Sequence, residues 1–189
     1  GITDITLDDV EAADTFGCVI KLIGQAKKLV DGRVTAHVRP TLVSRDHILS
    51  GVNGVFNAIL VNGDQTGDVM FYGRGAGKEA TASAVVADIM DCAKHLEARK
   101  YLSWEDGSDN YVANDIDEKG KLFVRLKSDN YDELVTRFHS VFGTEGFQYV
   151  KNQFTKEITF ITEEDFESNI NKKLAEFKDC QVKTIHTML

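Results

Sequence analysis

The sequence predicts an α+β protein in which an antiparallel sheet with helices is followed by a βαββαβ unit. Alternating apolar and polar stretches, separated by turns rich in glycine and asparagine, fill the first half, and a second series of strand and helix patterns follows a polar, acidic stretch. Hydrophobic residues make up 42% and charged residues 28% of the chain, which is typical of a globular protein with a buried core. We therefore predict a first region at 1–98, a linker at 99–119 and a second region at 120–189.

The first predicted element is a short helix over residues 6–16. Asp9 follows Thr6 by three residues, which is the spacing of a capping box, and Gly17 supplies a stop signal. Both ends of this helix are therefore predicted from local residues alone.

Two β-hairpins are predicted next, and we expect their four strands to form one antiparallel sheet. Asp31-Gly32 is a typical two-residue hairpin turn, and Asn62-Gly63-Asp64 forms the second turn. Pro40, the only proline, is predicted to end its strand because it cannot donate to the ladder. The four strands are predicted at 18–30, 33–39, 54–61 and 66–72.

A glycine-rich loop, Gly73-Arg74-Gly75-Ala76-Gly77, precedes a predicted helix over 80–96. Its glycines leave backbone N–H groups uncovered, and a helix N-terminus adds partial positive charge, so the loop suits a phosphate, a carboxylate or a flat cofactor ring. The spacing is not that of the dinucleotide fingerprint, and a tight packing turn explains the loop equally well. The apolar residues of the helix share one face: Val85, Ile89, Cys92, Ala93 and Leu96.

Strand and helix patterns in the second region follow the order of the ferredoxin-like split motif. Asp129 or Asn130 is placed to cap its first helix, and Thr162 with Asp165 is placed to cap the second. The predicted elements are strand 121–127, helix 131–142, strands 146–151 and 157–161, helix 163–177 and strand 181–186.

Charge and cysteine content exclude several classes of protein. The net charge of −8 argues against a nucleic-acid surface, and no apolar run is long enough to span a membrane. Cys18, Cys92 and Cys180 are far apart and form no metal-binding pattern, so we expect reduced thiols, no metal and a cytoplasmic location. The first residues contain neither a starting Met nor a signal-peptide pattern, and we expect a piece of a longer chain.

Several motifs in the first region resemble bacterial homoserine dehydrogenase. The resemblance is collinear over residues 1–98, and its order of features is more specific than any glycine pattern. The motifs are Val38-Arg39-Pro40, Asp46-His47-Ile48-Leu49, Val52-Asn53-Gly54-Val55-Phe56-Asn57, Met70-Phe71-Tyr72-Gly73-Arg74-Gly75-Ala76-Gly77 and Thr81-Ala82-Ser83-Ala84.

This resemblance implies an NAD(P)-dependent enzyme that interconverts L-homoserine and L-aspartate 4-semialdehyde on the route to threonine and methionine. It implies cofactor contacts at Gly75, Gly77 and Thr81. The family places its Rossmann domain and catalytic lysine motif before the position matched by Gly1, so we expect no catalytic residue in this chain and no activity from it alone. Lys21 matches a different family segment and is interpreted as a lysine on a half-exposed strand.

Many members of that family append an ACT domain, a regulatory domain with the βαββαβ order. By that resemblance Asp129 and Asn130 lie at the effector loop, where an amino acid such as threonine would bind. The loop, however, lacks the family's proline and glycine, so a structural ACT domain that only pairs subunits is an open alternative. The resemblance also implies a homo-oligomer. A free-standing amino-acid-binding module without catalysis is the alternative function, but it leaves residues 1–98 unexplained.

Overall fold

The computed structural model describes residues 1–97, 106–113 and 119–188. They form two compact units, one made of Gly1–Arg45 with Ser108–Leu189 and the other of Asp46–Gly107. The helices are α1 (Leu7–Thr15), α2 (Lys78–Lys94), α3 (Tyr131–Phe142) and α4 (Glu167–Leu174). The strands are β1 (Cys18–Lys28), β2 (Val34–Ser44), β3 (Phe56–Gly63), β4 (Gly67–Arg74), β5 (Lys119–Gly120), β6 (Leu122–Lys127), β7 (Tyr149–Asn152), β8 (Glu157–Ile161), β9 (Asp165–Phe166) and β10 (Gln181–Met188).

A six-stranded sheet in the order β1-β2-β10-β6-β8-β7 forms the centre of the first unit. Its last four strands are antiparallel neighbours, and with α3 and α4 they give the predicted βαββαβ order. β10 also pairs in parallel with β2, where residues 186–188 face 41–43. This short parallel ladder joins the hairpin β1–β2 to the C-terminal strands.

The prediction of one antiparallel sheet made of both N-terminal hairpins is wrong. β3 and β4 form a two-stranded sheet of their own, whereas β1 and β2 belong to the six-stranded sheet. The strand beside β2 is β10 instead of a strand of the second hairpin. The compact units consequently differ from the predicted regions 1–98 and 120–189. In the predicted linker, Val112 bridges Val34, while residues 98–105 and 114–118 lie outside the described part of the chain.

Two local predictions also need correction. Pro40 lies inside β2 instead of ending it, and it stands just outside the stretch that pairs with β10, where a missing N–H is tolerated. The last helix begins at Glu167 rather than at residue 163. Thr162 does not cap it, because its side-chain oxygen accepts a hydrogen bond from the Leu122 amide at 2.9 Å.

Apolar side chains cover both faces of the six-stranded sheet. On one face, α3 and α4 pack against alternate residues of β6 and β8, and this core includes Phe138, Phe160 and Phe177. On the other face, α1 packs against a smaller core that includes Phe123 and Ile185. The alternation of side chains along a strand divides β6 between these two cores.

A buried group of charges lies on the α1 side of the sheet. Both nitrogens at one edge of the Arg125 guanidinium donate to Glu157, at 2.7 and 2.8 Å, and a third nitrogen donates to Asp9. The Lys183 ammonium donates to the other Asp9 oxygen, which also accepts from the Thr6 amide at 2.8 Å. Asp9 is completely buried. We call Asp9, Arg125, Glu157 and Lys183 the Arg125 cluster.

The cluster keeps its carboxylates ionised. Burial alone raises the pKa of Asp9, but hydrogen bonds from Lys183, Thr6 and Arg125 outweigh burial and lower it. Burial likewise raises the pKa of Glu157, and the hydrogen bonds from Arg125 and from the Thr159 hydroxyl lower it further than burial raises it. The two carboxylates in turn raise the pKa of Arg125.

We predict that Arg125→Met strongly destabilises the fold, because it leaves two carboxylates in the interior without their shared cation. Removing one partner of a buried ion pair costs about 3–5 kcal/mol. The measurement is the free energy of unfolding in urea, with Arg33→Met as the control, since Arg33 pairs with Asp31 at an exposed turn. Equal stability of the two variants would contradict the role given to Arg125.

We also predict that the cluster loses its contribution in acid. Carboxyl groups whose pKa is lowered on folding contribute stability that is present above their unfolded pKa, roughly 4, and that disappears as the pH falls through the folded pKa. The free energy of unfolding of the wild type should therefore fall as the pH drops from about 5 to about 2, and less steeply in Asp9→Asn/Glu157→Gln. Parallel curves for the two proteins would show that these carboxyls do not carry the acid sensitivity.

Candidate functional site

The glycine loop connects β4 to α2, as the sequence predicts, and its first two residues, Gly73 and Arg74, are the last two of β4. Gly77 has φ +115°, a backbone conformation that side chains with a Cβ rarely adopt, and no atom lies within 4 Å of where its Cβ would be. Gly75 is constrained by packing and not by its backbone conformation. A Cβ there would lie 2.8 Å from the Cγ of Asn57. The loop is therefore open to a ligand at Gly77 and packed against its own hairpin at Gly75.

The first turn of α2 directly follows this loop. The N–H groups in the first turn of any α-helix have no intrahelical partner. Gly77 is the N-cap residue and has no side chain that could accept a hydrogen bond from them. Thr81 closes the loop onto the helix: its amide and its hydroxyl both donate to the Gly77 carbonyl, at 3.1 and 3.0 Å. The structure thus brings together the three predicted cofactor contacts, Gly75, Gly77 and Thr81, with Thr81 holding the loop.

The second unit exposes most of its apolar side chains. The helix α2 overlaps the predicted helix 80–96 but ends at Lys94, so Leu96 lies beyond it. None of its described residues is buried, and Val85 and Ile89 of the predicted apolar face are exposed. In the hairpin, Ile59 is 66% exposed and Phe71 is 63% exposed. Large exposed apolar surfaces are typical of places that contact a partner or a ligand.

The predicted effector loop has a structural use for its polar side chains. Asn130 caps α3: its side-chain oxygen accepts from the Glu133 amide at 3.5 Å, and its amide nitrogen donates to the Glu133 carboxylate at 2.8 Å. The Asp129 carboxylate is in solvent, 3.9 Å from the Lys156 ammonium. Asn130 is therefore used within the fold, whereas the Asp129 carboxylate is exposed.

Other candidate residues have ordinary structural surroundings. His47 caps a short 3-10 turn, Ile48–Gly51, by accepting a hydrogen bond from the Leu49 amide at 3.2 Å. Lys21 lies in the middle of β1, opposite Thr41. Within the described ranges, no three His, Cys, Asp or Glu side chains are grouped as metal ligands would be. Within the same ranges, no helix has the length and apolar character needed to cross a membrane.

Comparison with known proteins gives one consistent family. Residues 1–90 match the family model described as homoserine dehydrogenase. The homoserine dehydrogenase of Pseudomonas aeruginosa is 46% identical over 96 residues, and that of Synechocystis is 46% identical over 98 residues. These matches cover 51% and 48% of this chain, and 22% of each relative. The matched segment thus spans about a fifth of the length of these curated relatives.

Solved structures extend the similarity to the whole chain. A homoserine dehydrogenase from Thiobacillus denitrificans matches with a TM-score of 0.79 and 27% identity, covering 100% of this chain and 46% of that chain. A homoserine dehydrogenase from S. aureus, at pH 7.5, matches with a TM-score of 0.72 and 30% identity over the same shares. The second half of the chain, which lies beyond the family model, therefore has a counterpart in these enzymes as well.

Proposed function

We propose, from the match of residues 1–90 to the homoserine dehydrogenase family model, that the chain is the C-terminal part of an NAD(P)-dependent homoserine dehydrogenase. The complete enzyme would interconvert L-homoserine and L-aspartate 4-semialdehyde in threonine and methionine biosynthesis, in the cytoplasm. The observation that carries the proposal is the collinear match that includes the glycine loop. Solved dehydrogenases align with the whole of this chain, and this favours the proposal over a free-standing regulatory module, which would leave the first half without a role.

The glycine loop fits a nicotinamide cofactor. The open space at Gly77 admits a flat ring or a phosphate up to the backbone, and the first turn of α2 offers N–H donors and the positive end of its dipole. When bound, the cofactor supplies or accepts the hydride. Gly75 and Gly77 would let the backbone approach it, and Thr81 would hold the loop in place through the Gly77 carbonyl.

This chain would orient the cofactor rather than carry out proton transfer. The described residues near the loop include no buried acid or base aimed at it, and the family resemblance places the catalytic lysine in a preceding segment. The βαββαβ unit would serve as an ACT-like regulatory domain. Its contribution to the enzyme would be subunit contact and, where an effector binds, control of activity.

The proposal is tested by assaying two proteins. The complete protein that carries this chain should oxidise L-homoserine with NAD⁺ or NADP⁺, whereas the purified 189-residue chain should not, because it would lack the groups that transfer the proton. Turnover by the 189-residue chain would place the catalytic groups within it. A complete protein without any activity on homoserine would contradict the proposed reaction.

We predict that Gly77→Val in the complete protein raises the KM for the nicotinamide cofactor by tenfold or more, because a β-branched residue cannot keep the positive φ and would also fill the open approach. Gly32→Val is the matched control. Gly32 also has a positive φ, +88°, and also has no atom near its missing Cβ, but it lies at the β1–β2 turn. If both variants bound the cofactor normally, the loop would be only a packing turn.

We predict a homo-oligomer that uses the exposed apolar side chains of β3 and β4. Phe71→Glu should lower the mass measured by light scattering toward that of a monomer, because burying a carboxylate in an apolar interface is costly. Phe154→Glu is the control, since Phe154 is fully exposed at the β7–β8 turn in the other unit. A monomeric wild type at micromolar concentration, or equal masses for the two variants, would contradict this interface.

A further inference from the structure

Two Asn-Gly pairs lie at the two ends of strand β3 in the second unit. Asn53-Gly54 precedes the strand, and Asn62-Gly63 forms its last two residues. An asparagine before a glycine is prone to deamidation, because the main-chain nitrogen of the glycine can attack the side-chain amide carbon and no Cβ obstructs its approach. The two pairs have the same sequence but different surroundings, so the structure distinguishes between them.

The first pair lies in an open part of the chain. Asn53 and Gly54 are both exposed and belong to no helix or strand. Gly54 has φ +66°, and no atom lies within 4 Å of where its Cβ would be. Among the described residues, none accepts a hydrogen bond from the Gly54 amide. This nitrogen can therefore approach the Asn53 side chain without breaking a hydrogen bond of the fold.

The Asn53 side chain is bound within its own loop. Its carboxamide nitrogen donates to the Gly51 carbonyl at 3.2 Å, in a hydrogen bond that is exposed to water. Such a neutral hydrogen bond contributes only about 1 kcal/mol, because water replaces it. Breaking it therefore adds little to the barrier of the attack.

The second pair is held within the hairpin. The Asn62 carboxamide nitrogen donates to the Asp68 carboxylate at 2.6 Å, and these two residues face each other across β3 and β4. A hydrogen bond to a charged acceptor is about twice as strong as a neutral one, so it keeps the carboxamide beside the opposite strand. The Asp68 charge also opposes the negative charge that develops on the attacked amide. Space is short as well, because the Thr66 hydroxyl lies 2.7 Å from the place of a Cβ at Gly63.

We propose that Asn53 is a site of spontaneous deamidation and that the hairpin protects Asn62. The Gly54 nitrogen gives its proton to a base from solvent and forms a bond to Cγ of Asn53. The bond from Cγ to Nδ2 then breaks, and Nδ2 takes up a proton and leaves as ammonia. Water opens the resulting cyclic imide at either carbonyl and gives aspartate or isoaspartate, so the net change is the addition of water and the loss of ammonia. The reaction needs no oxidant or cofactor and does not depend on the proposed dehydrogenase activity.

The modified residue would act on the glycine loop. The carbonyl of Val55, the residue after Gly54, accepts a hydrogen bond from the Ala76 amide of that loop at 3.5 Å. Isoaspartate carries the main chain through its side-chain carbon, so it adds one methylene to the chain just before this contact. We expect the extra length to displace Val55 and to weaken its hydrogen bond with Ala76.

The test is mass spectrometry on the 189-residue chain, incubated intact in mildly alkaline buffer made with heavy-oxygen water. Each deamidation incorporates an oxygen atom from that water, and cleavage after Phe56 then places the two asparagines on different peptides. Asn53 should deamidate faster than Asn62 by about tenfold or more, because a hydrogen bond to a charged group holds only Asn62. Equal rates, or a faster reaction at Asn62, would overturn the proposal.

Two controls show whether the fold causes the difference. In guanidinium chloride, where the hairpin is unfolded, both asparagines should deamidate at similar rates, since each precedes a glycine. A difference that persisted there would overturn the structural explanation. Asp68→Ala removes the carboxylate that holds Asn62, so it should speed deamidation at Asn62 and leave the rate at Asn53 unchanged. An unchanged rate at Asn62 would contradict its protection by Asp68.

Asn53→Gln separates the modification from other changes in an aged sample. Its longer side chain would have to close a larger ring, which forms far more slowly. The amide NMR resonance of Ala76 should shift in the aged wild type and stay in place in aged Asn53→Gln. Identical spectra of fresh and deamidated wild type would overturn the effect on the glycine loop.

Discussion

The Arg125 cluster is the interaction on which the arrangement of the first unit depends. Asp9 lies on α1, Arg125 on β6, Glu157 on β8 and Lys183 on β10. Arg125 and Glu157 pair across neighbouring strands, whereas Asp9 meets its two cations only when α1 packs on this sheet. A misplaced α1 would leave Arg125 and Glu157 paired but would bury Asp9 without a cation. Because unpaired buried charge is among the most costly faults a fold can contain, the cluster selects one position for α1 on the sheet.

That position also solves a problem of the βαββαβ unit. Its two helices cover one face of the sheet and leave the other face, with Phe123 and Ile185, to be covered by something else. Here α1 provides the cover, with Phe16 packed edge-on against Phe123 at 5.6 Å between ring centres. N-terminal residues that match the dehydrogenase family model thus complete the core of the C-terminal sheet, and the compact units do not follow the boundary of that match.

The sequence predicts what neighbouring residues determine. The capping box of Thr6 and Asp9, the bounds of α3 and β8, and the glycine loop before α2 all follow from local residue types. The ladder between β2 and β10 does not, because no local pattern encodes the partner of a strand edge. The capping box accounts for Asp9 in the sequence, so no local pattern indicates that Asp9 also pairs with Arg125 and Lys183. Arg125 does stand out in the sequence, because it is a charged residue within the apolar run Leu122-Phe123-Val124 and Leu126. Such a run is typical of a strand that is buried on both faces.

The same contrast separates the glycine loop from the Arg125 cluster. The glycine loop is one continuous segment, so its residues identify it in the sequence, and its backbone is open at Gly77. The Arg125 cluster joins side chains from four elements that meet only after folding. The loop, however, lies in a unit whose apolar side chains are mostly in solvent. Hydride transfer needs a site from which water is excluded. Under the proposed function, the loop would therefore need further polypeptide to cover the unit that carries it.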